Sequence, residues 1–528
     1  MPALKSSKTL ACALTLASLA CAPLSAAAAS WTPVARTPPN SVETMLLLTD
    51  GTVLAHSYDG PGNIWLKLSP DANGNYANGR WSRVAGMGTN RLYFASHVLR
   101  SGDVWVLGGE YSGPNLDANW TNTGEWYDTL RNVWTPIAPH PEANFGDVPT
   151  MLLDKDRILA GSLFNRSTYL YDIASNSWTR AADKAYDDSS DEETYVKLPG
   201  GKVMVYDLFR SIATGGGYAE VYDPKTGLWS GRSPSDGTAA GSIPQLSSPA
   251  MGYEIGGALA LRSRDRGGRV ITIGATGHTA LYDVASNTWS AGPDIIGTLP
   301  NGAQGLFGAV DAPAAALPDG RVMLAADASP STGTAFSGPT QLFTYNPAKN
   351  TIQPLSPALP VTLGDPAFVH RMLVLPTGQV LFTRGGTDVW IYTADGAPPD
   401  KARPTVETVR YDGKGRFTLS GRQLTGANAG STYGDDAESD ENYPIVRFGQ
   451  PGGSSVWYGR TSNWKSTDVQ VRKITSTRFT LKTGTPAGLV SLAVSAAGVE
   501  SLPVCLTLTA DQVAGTGSAA DIPLQTCP

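Results

Sequence analysis

The stretch AALPDGRVMLAAD, residues 315–327, decides the fold. It is an apolar run, a Pro-Asp-Gly turn, a second apolar run and then small residues. Two short strands joined by a tight turn read this way, because the turn needs the left-handed backbone that glycine adopts without steric cost. The same pattern recurs as LLLTDGTVLAHS, HVLRSGDVWVLGG, MLLDKDRILAGS, VKLPGGKVMVYD, RDRGGRVITIGA and LVLPTGQVLFTRGG, which makes seven copies. Their turns fall at Gly51, Gly102, Asp156, Gly201, Gly268, Gly320 and Gly378, a period of about fifty residues.

A second pattern follows most copies: Tyr-Asp, a polar turn, then Trp. It stands at Tyr127 to Trp134, Tyr171 to Trp178, Tyr222 to Trp229 and Tyr282 to Trp289, and in weaker form at Tyr345-Asn346 with Ile352. Each period is thus two hairpins, a four-stranded sheet. One such sheet cannot bury both faces alone; seven arranged radially can, and that arrangement is a β-propeller. The Tyr and Trp rings are expected to fill the wedges between blades.

The seventh copy runs out after Trp390-Ile391-Tyr392, where GAPPDKARP interrupts it. WTPVARTPP at Trp31 matches WSRVAGMG at Trp81 and WTPIAPHP at Trp134, so the first strand is expected to complete the last blade and leave no open edge. The propeller then spans residues 31–399. Residues 400–510 change texture to alternating strands such as RFTLSG, IVRFG and LVSLAVSA, which suits an immunoglobulin-like β-sandwich, and a tail, 511–528, follows. The expected class is all-β.

Residues 1–30 read as an export signal: Lys5 and Lys8, an apolar stretch TLACALTLASLACAPL too short for a comfortable membrane span, then SAAAAS for cleavage. Cys21 admits a lipoprotein signal as the alternative, with Ser18 where a lipobox prefers a large aliphatic residue. The mature chain keeps Cys505 and Cys527, and a disulfide between them is the economical pairing in an oxidising compartment. Net charge is −6 and no basic stripe is present, so nothing marks a nucleic-acid partner. No other segment is apolar enough to span a bilayer. The chain is expected to be a secreted monomer, periplasmic or extracellular.

LPDGRVMLAAD and YDVASNTW resemble kelch repeats. The order of signal, seven such blades and an immunoglobulin-like module resembles galactose oxidase and related copper-radical oxidases. The resemblance covers nearly the whole mature chain. It implies a cysteine cross-linked to a tyrosine, a Tyr-His pair opening a late blade, and a histidine from the C-terminal module. The propeller has no cysteine, Val369-His370 stands where the pair is expected, and the C-terminal module has no histidine; YGRTSNWKS offers Asn463 and Trp464 instead. Copper is therefore disfavoured, and no cofactor is expected. Fold does not fix function.

Aligning the innermost strands by their turns places Glu43, Tyr93, Asp147, Glu192 with Glu193, Glu254, Asp311 and His370 at the channel mouth. Arg91 and Asp365 lie on the connections just before, and Arg371 follows His370; His278 sits near a neighbouring loop. Of these, Glu192, Glu193, Asp147, His370, Tyr93 and Arg91 are the candidates for chemistry, and Glu43, Glu254, Asp311, Asp365, Arg371 and His278 for substrate contacts. Paired carboxylates suit acid/base work on a glycosidic bond, and His with Tyr suits proton abstraction in an elimination. The bland alternative is a solvated channel lining. Carboxylates with carbonyls also suit Ca²⁺; the acidic runs YDDSSDEETY (186–195) and YGDDAESDENYP (433–444) are candidates, each with a solvated loop as the alternative.

The expected function is action on an extracellular carbohydrate without copper, by glycoside hydrolysis or β-elimination. Non-catalytic glycan binding or adhesion and a diverged oxidase are the alternatives. The sugar class comes from the resemblance alone.

Overall fold

A computed structural model describes residues 28–232, 240–241, 243–262, 268–433 and 442–528. The expected export signal, with Cys21, and most of the 433–444 acidic run lie outside them.

Seven sheets form the ring. Blade 1 runs Met45–Leu47, Val53–Ser57, Ile64–Ser69 and Arg80–Arg83, and the following five blades repeat that antiparallel order. Blade 7 has Arg371–Val374, Val380–Thr383 and Val389–Thr393 from its own copy, and Ser30–Pro33 as its outer strand, with Trp31 opposite Tyr392. The ring is closed by pairing the chain's early strand with a late one. The hairpin turns all use left-handed backbone: φ is 76° at Gly51, 85° at Gly102 and 95° at Gly320, and Asp156 takes 55° where glycine is missing.

The Tyr and Trp rings are packing residues, as expected. Tyr127 stacks on Trp134 at 4.9 Å and Tyr171 meets Trp178 at 5.0 Å. They also lock blade to blade. Tyr171 Oη donates to Asn176 Oδ1, which accepts from Ala138 N of the preceding blade at 2.7 Å, while Trp178 Nε1 donates to Ala138 O at 2.9 Å. Trp31 repeats the last bond onto Pro357 O at 3.1 Å, so the closing strand engages blade 6 as a native blade would.

The C-terminal module is a nine-stranded sheet curled on itself. It bends at Val456–Ser462, which pairs with Ile445–Gly449 on one side and Thr475–Thr480 on the other. Phe417, Phe448, Phe479, Leu492 and Leu506 are buried between its halves. The tail is an integral part: Ala520–Ile522 adds a strand beside Thr408–Gly413, and Cys505 is bonded to Cys527. No helix among the described residues is long and apolar enough to cross a membrane.

The module docks on the propeller face that carries the Gly turns. Arg460 Nη2 pairs with Asp103 at 3.1 Å, Thr467 N donates to Asp154 Oδ1 at 2.7 Å, and Gln470 Nε2 donates to Leu261 O at 2.7 Å. Gly200 N donates to Asp468, and Ser495 Oγ donates to Pro376 O at 2.7 Å. One piece goes further in. Ser431–Thr432 pairs with Ala314–Ala316, the innermost strand of blade 6, and Ser431 Oγ accepts from Val374 N at 2.8 Å. The finger thus runs up the channel and carries Tyr433 towards the opposite mouth.

Candidate functional site

The innermost strands start at that opposite mouth, and a shared backbone feature aims their first residues inward. Tyr93, Asp147, Glu192 and Asp311 all have φ between 50° and 57°, left-handed values unusual for residues other than glycine and retained only where the surroundings fix them. Asp147 O accepts from Glu192 N at 2.9 Å, which ties blade 3 to blade 4 at the mouth.

The centre of the site is an ion pair between blades 7 and 1. Arg371 Nη2 bonds Glu43 Oε1, and both side chains are about 5% exposed. Glu43 Oε2 also accepts from Thr44 N at 2.7 Å and lies 3.3 Å from His56 Nδ1. Burial alone would raise the Glu43 carboxyl; Arg371 first, then His56 and Thr44, outweigh it and bring it down to about 2. Glu43 is a fixed anion, not a proton donor near neutrality. Arg371 is pushed up in turn: burial opposes its charge, and Glu43 overcomes that.

The guanidinium lies 3.8 Å from the centre of the Tyr433 ring and 6.0 Å from that of Tyr93. Tyr433 Oη donates to Phe368 O at 2.8 Å and lies 3.4 Å from Asp311 Oδ2. Tyr93 meets Tyr111 edge-on at 5.9 Å. Burial, then Glu110, Asp147 and Glu192, raise the Tyr111 phenol to about 12. Beyond it, oxygens of Asp147, Asp191 and Glu192 lie within 4.8 Å of one another, and Asp147 Oδ2 accepts from Trp120 Nε1 at 3.2 Å.

Aromatic rings surround this polar floor. Among the described residues the exposed aromatic side chains are Tyr58, Trp120, Phe164, Tyr253 and Phe336. Each sits on a connection at this same mouth. Trp120 meets Phe164 at 5.8 Å, Tyr253 stacks on Phe209 at 5.6 Å, and Phe336 meets Phe368 at 5.2 Å.

The structure therefore gathers Glu43, Tyr93, Asp147, Glu192, Asp311 and Arg371. Glu254 is buried beside Gly252 and Phe336, and exposed Asp365 acts on the Tyr58 phenol at the rim. Four expectations need correction. Glu193 is adjacent to Glu192 but faces the other way: it is fully buried, with Oε1 2.7 Å from Lys184 Nζ. Arg91 is a buried clamp, donating to Gly108 O, Thr123 O and Glu125 Oε1. His370 is 0% exposed, with neither ring nitrogen hydrogen-bonded and its ring 5.5 Å from Phe382. Burial, with Arg371 and Arg384 adding to it, lowers it to about 3, so a neutral, enclosed imidazole replaces the expected proton carrier. His278 pairs with Asp294 at 2.7 Å and with no member of the ring among the described residues.

The acidic run at 186–195 is divided between roles. Asp191 and Glu192 face the mouth. Asp188 and Glu193 meet Asp207 and Glu220 around Lys184, whose Nζ lies 2.7–3.8 Å from all four. An ammonium stands where a bound cation would.

Tyr433 was not anticipated. Asn463 and Trp464, which stand where the resemblance implies a histidine, dock on Arg100: Asn463 N donates to Arg100 O at 2.6 Å and Trp464 O accepts Arg100 Nε at 2.7 Å. The donors facing Tyr433 are phenols and carboxylates with a guanidinium fixed among them. They do not fit the thiol–tyrosine and imidazole set of a copper-radical centre.

No family model and no curated protein matches the chain. A solved structure described as a novel fungal alcohol oxidase with catalytic diversity among the AA5 family, in complex with copper, matches with 14% identity and a TM-score of 0.34. The match covers 92% of this chain and 100% of that one. Copper and alcohol oxidation are statements about that protein.

Proposed function

We propose that the axial mouth binds a carbohydrate and that Asp147, Asp191 and Glu192 hydrolyse its glycosidic bond without copper. The observation that carries this reading is the ring of exposed aromatic faces around a floor of carboxylates. Apolar C–H faces of sugar rings pack on aromatic side chains, and sugar hydroxyls bond carboxylates. A hydrolase that retains anomeric configuration needs two carboxyl groups close together, about 5 Å apart, and oxygens of Asp147, Asp191 and Glu192 all lie within 4.8 Å of one another. Arg371 and Glu43 position the floor, since each already neutralises the other. That mutual saturation favours the second reading, glycan binding without turnover. The expected setting is outside the cell, and the disulfide suits an oxidising compartment.

A polysaccharide screen with product analysis tests both readings. Glu192→Gln and Asp147→Asn should lose at least a hundredfold in turnover while retaining binding. Full turnover in both variants, or no glycan binding by the folded protein, overturns the proposal. Binding with no product from any glycan leaves the adhesion reading in its place.

A further inference from the structure

The opposite face carries a second feature. Between blades 5, 6 and 7 and the segment leading to the C-terminal module lies a cavity of about 760 Å³ lined by Arg262, Arg269, Arg321 and Lys401, with Asp319 and Asp395. Arg262 and Lys401 are shared with an adjoining cavity of about 240 Å³ that adds Arg422 and Arg472 and has no carboxylate in its lining. Six cations thus line one furrow on a chain whose net charge is −6.

Arg422 Nε pairs with Glu407 Oε1 at 2.8 Å, and the two acids of the larger cavity do not neutralise the rest. Arg321 takes both, with Nε 2.5 Å from Asp319 Oδ2 and Nη2 on Asp395. Arg262, Arg269 and Lys401 have no salt bridge among the described residues. Arg262 donates through Nη2 to Pro318 O at 2.6 Å and Asn428 Oδ1 at 3.3 Å, while its Nε and Nη1 are unbonded. Burial lowers its affinity for its proton, with Asp319 opposing, which is the behaviour of a cation short of counter-charge. Two glycines form the floor. A side chain at Gly320 would press on Arg262 Nη1 at 3.2 Å, and one at Gly396 would collide with Asp319 Oδ2.

We propose that this furrow is a binding site for an acidic oligosaccharide, one carrying carboxylate or sulfate groups at sugar-ring spacing. Concentrated, incompletely neutralised guanidinium groups are suited to oxyanions that offer two oxygens to the planar fork, as carboxylate and sulfate groups both do. The combined volume fits more than a single ion and lies within the range of small-molecule sites. The site is independent of the axial mouth, so its failure and that of the hydrolase reading are separate.

Calorimetry on the full chain tests it, with trigalacturonate and a sulfated trisaccharide as probes, a neutral trisaccharide as control, and inorganic sulfate and phosphate as simple anions. An acidic trisaccharide should bind at least tenfold tighter than the neutral one, and its affinity should fall as salt rises from 50 to about 300 mM. Lys401→Glu and Arg269→Gln, neither in a salt bridge among the described residues, should each weaken binding about tenfold with an unchanged melting temperature. Tighter binding of the carboxylated or of the sulfated probe identifies the group read. Equal binding of acidic and neutral sugars overturns the proposal, as does wild-type affinity in both variants. So does binding of inorganic anions as tight as that of either acidic sugar.

Discussion

Glu43 shows how one side chain sets the electrostatics of the mouth. Its carboxyl is brought from an ordinary 4.5 to about 2 in the folded protein. As pH falls, the unfolded chain takes up the proton first. The stabilisation is therefore complete above about pH 4.5 and is lost as pH falls towards 2, a loss of about 3 kcal/mol. Urea unfolding of wild type and Glu43→Gln across that range should show the two curves converging in acid. Lys184 is the second case: Lys184→Met leaves buried carboxylates facing one another and should destabilise by about 3–5 kcal/mol, measured in the same way at pH 7. At this scale the sequence was partly legible. Alignment on the Gly turns found Glu192, but it could not separate it from Glu193, because neighbours where a strand begins point to opposite sides. His370 was placed at the right level of the blade with its ring on the wrong side, for the same reason.

The strand that closes blade 7 is the element on which the ring depends. Trp31 packs against Tyr392 at 5.0 Å and Phe382 at 5.7 Å, besides its bond to Pro357. Trp31→Ala should cost about 3 kcal/mol and lower the melting temperature; a change below about 0.5 kcal/mol would mean that the ring holds without it. This element was legible because WTPVARTPP repeats the motif of other outer strands. The finger bearing Tyr433 was not. Its two-residue pairing with blade 6 is set by how the C-terminal module docks, and a local pattern of Ser-Thr-Tyr carries no trace of that contact. The polar turns between Tyr-Asp and Trp hold Asn132, Asn176 and Asn287, and the sequence pattern gives these asparagines no role. In the structure they are bonded to the Tyr of their own blade, and the first two also accept from the preceding one.

At the scale of the molecule, the C-terminal module bonds to turns or strands from every blade, so propeller and module are expected to unfold in one calorimetric transition. Two separated transitions in the oxidised protein would show that the finger and the docking face contribute little. Reducing Cys505–Cys527, which encloses 22 residues of separation, should remove about 3 kcal/mol by freeing the tail strand, read by unfolding with and without reductant. The closed ring has a further consequence for how it comes into being. Ser30–Pro33 is synthesised before every other strand of the propeller, yet its partner Val389–Thr393 is synthesised last. The clasp leaves the ribosome before the belt it must fasten. No growing chain can seal the circle early, and contacts of such sequence separation form slowly. The order of synthesis and the order of closure run in opposite directions, and the seam between blades 7 and 1 is where a stalled or truncated chain would be left open.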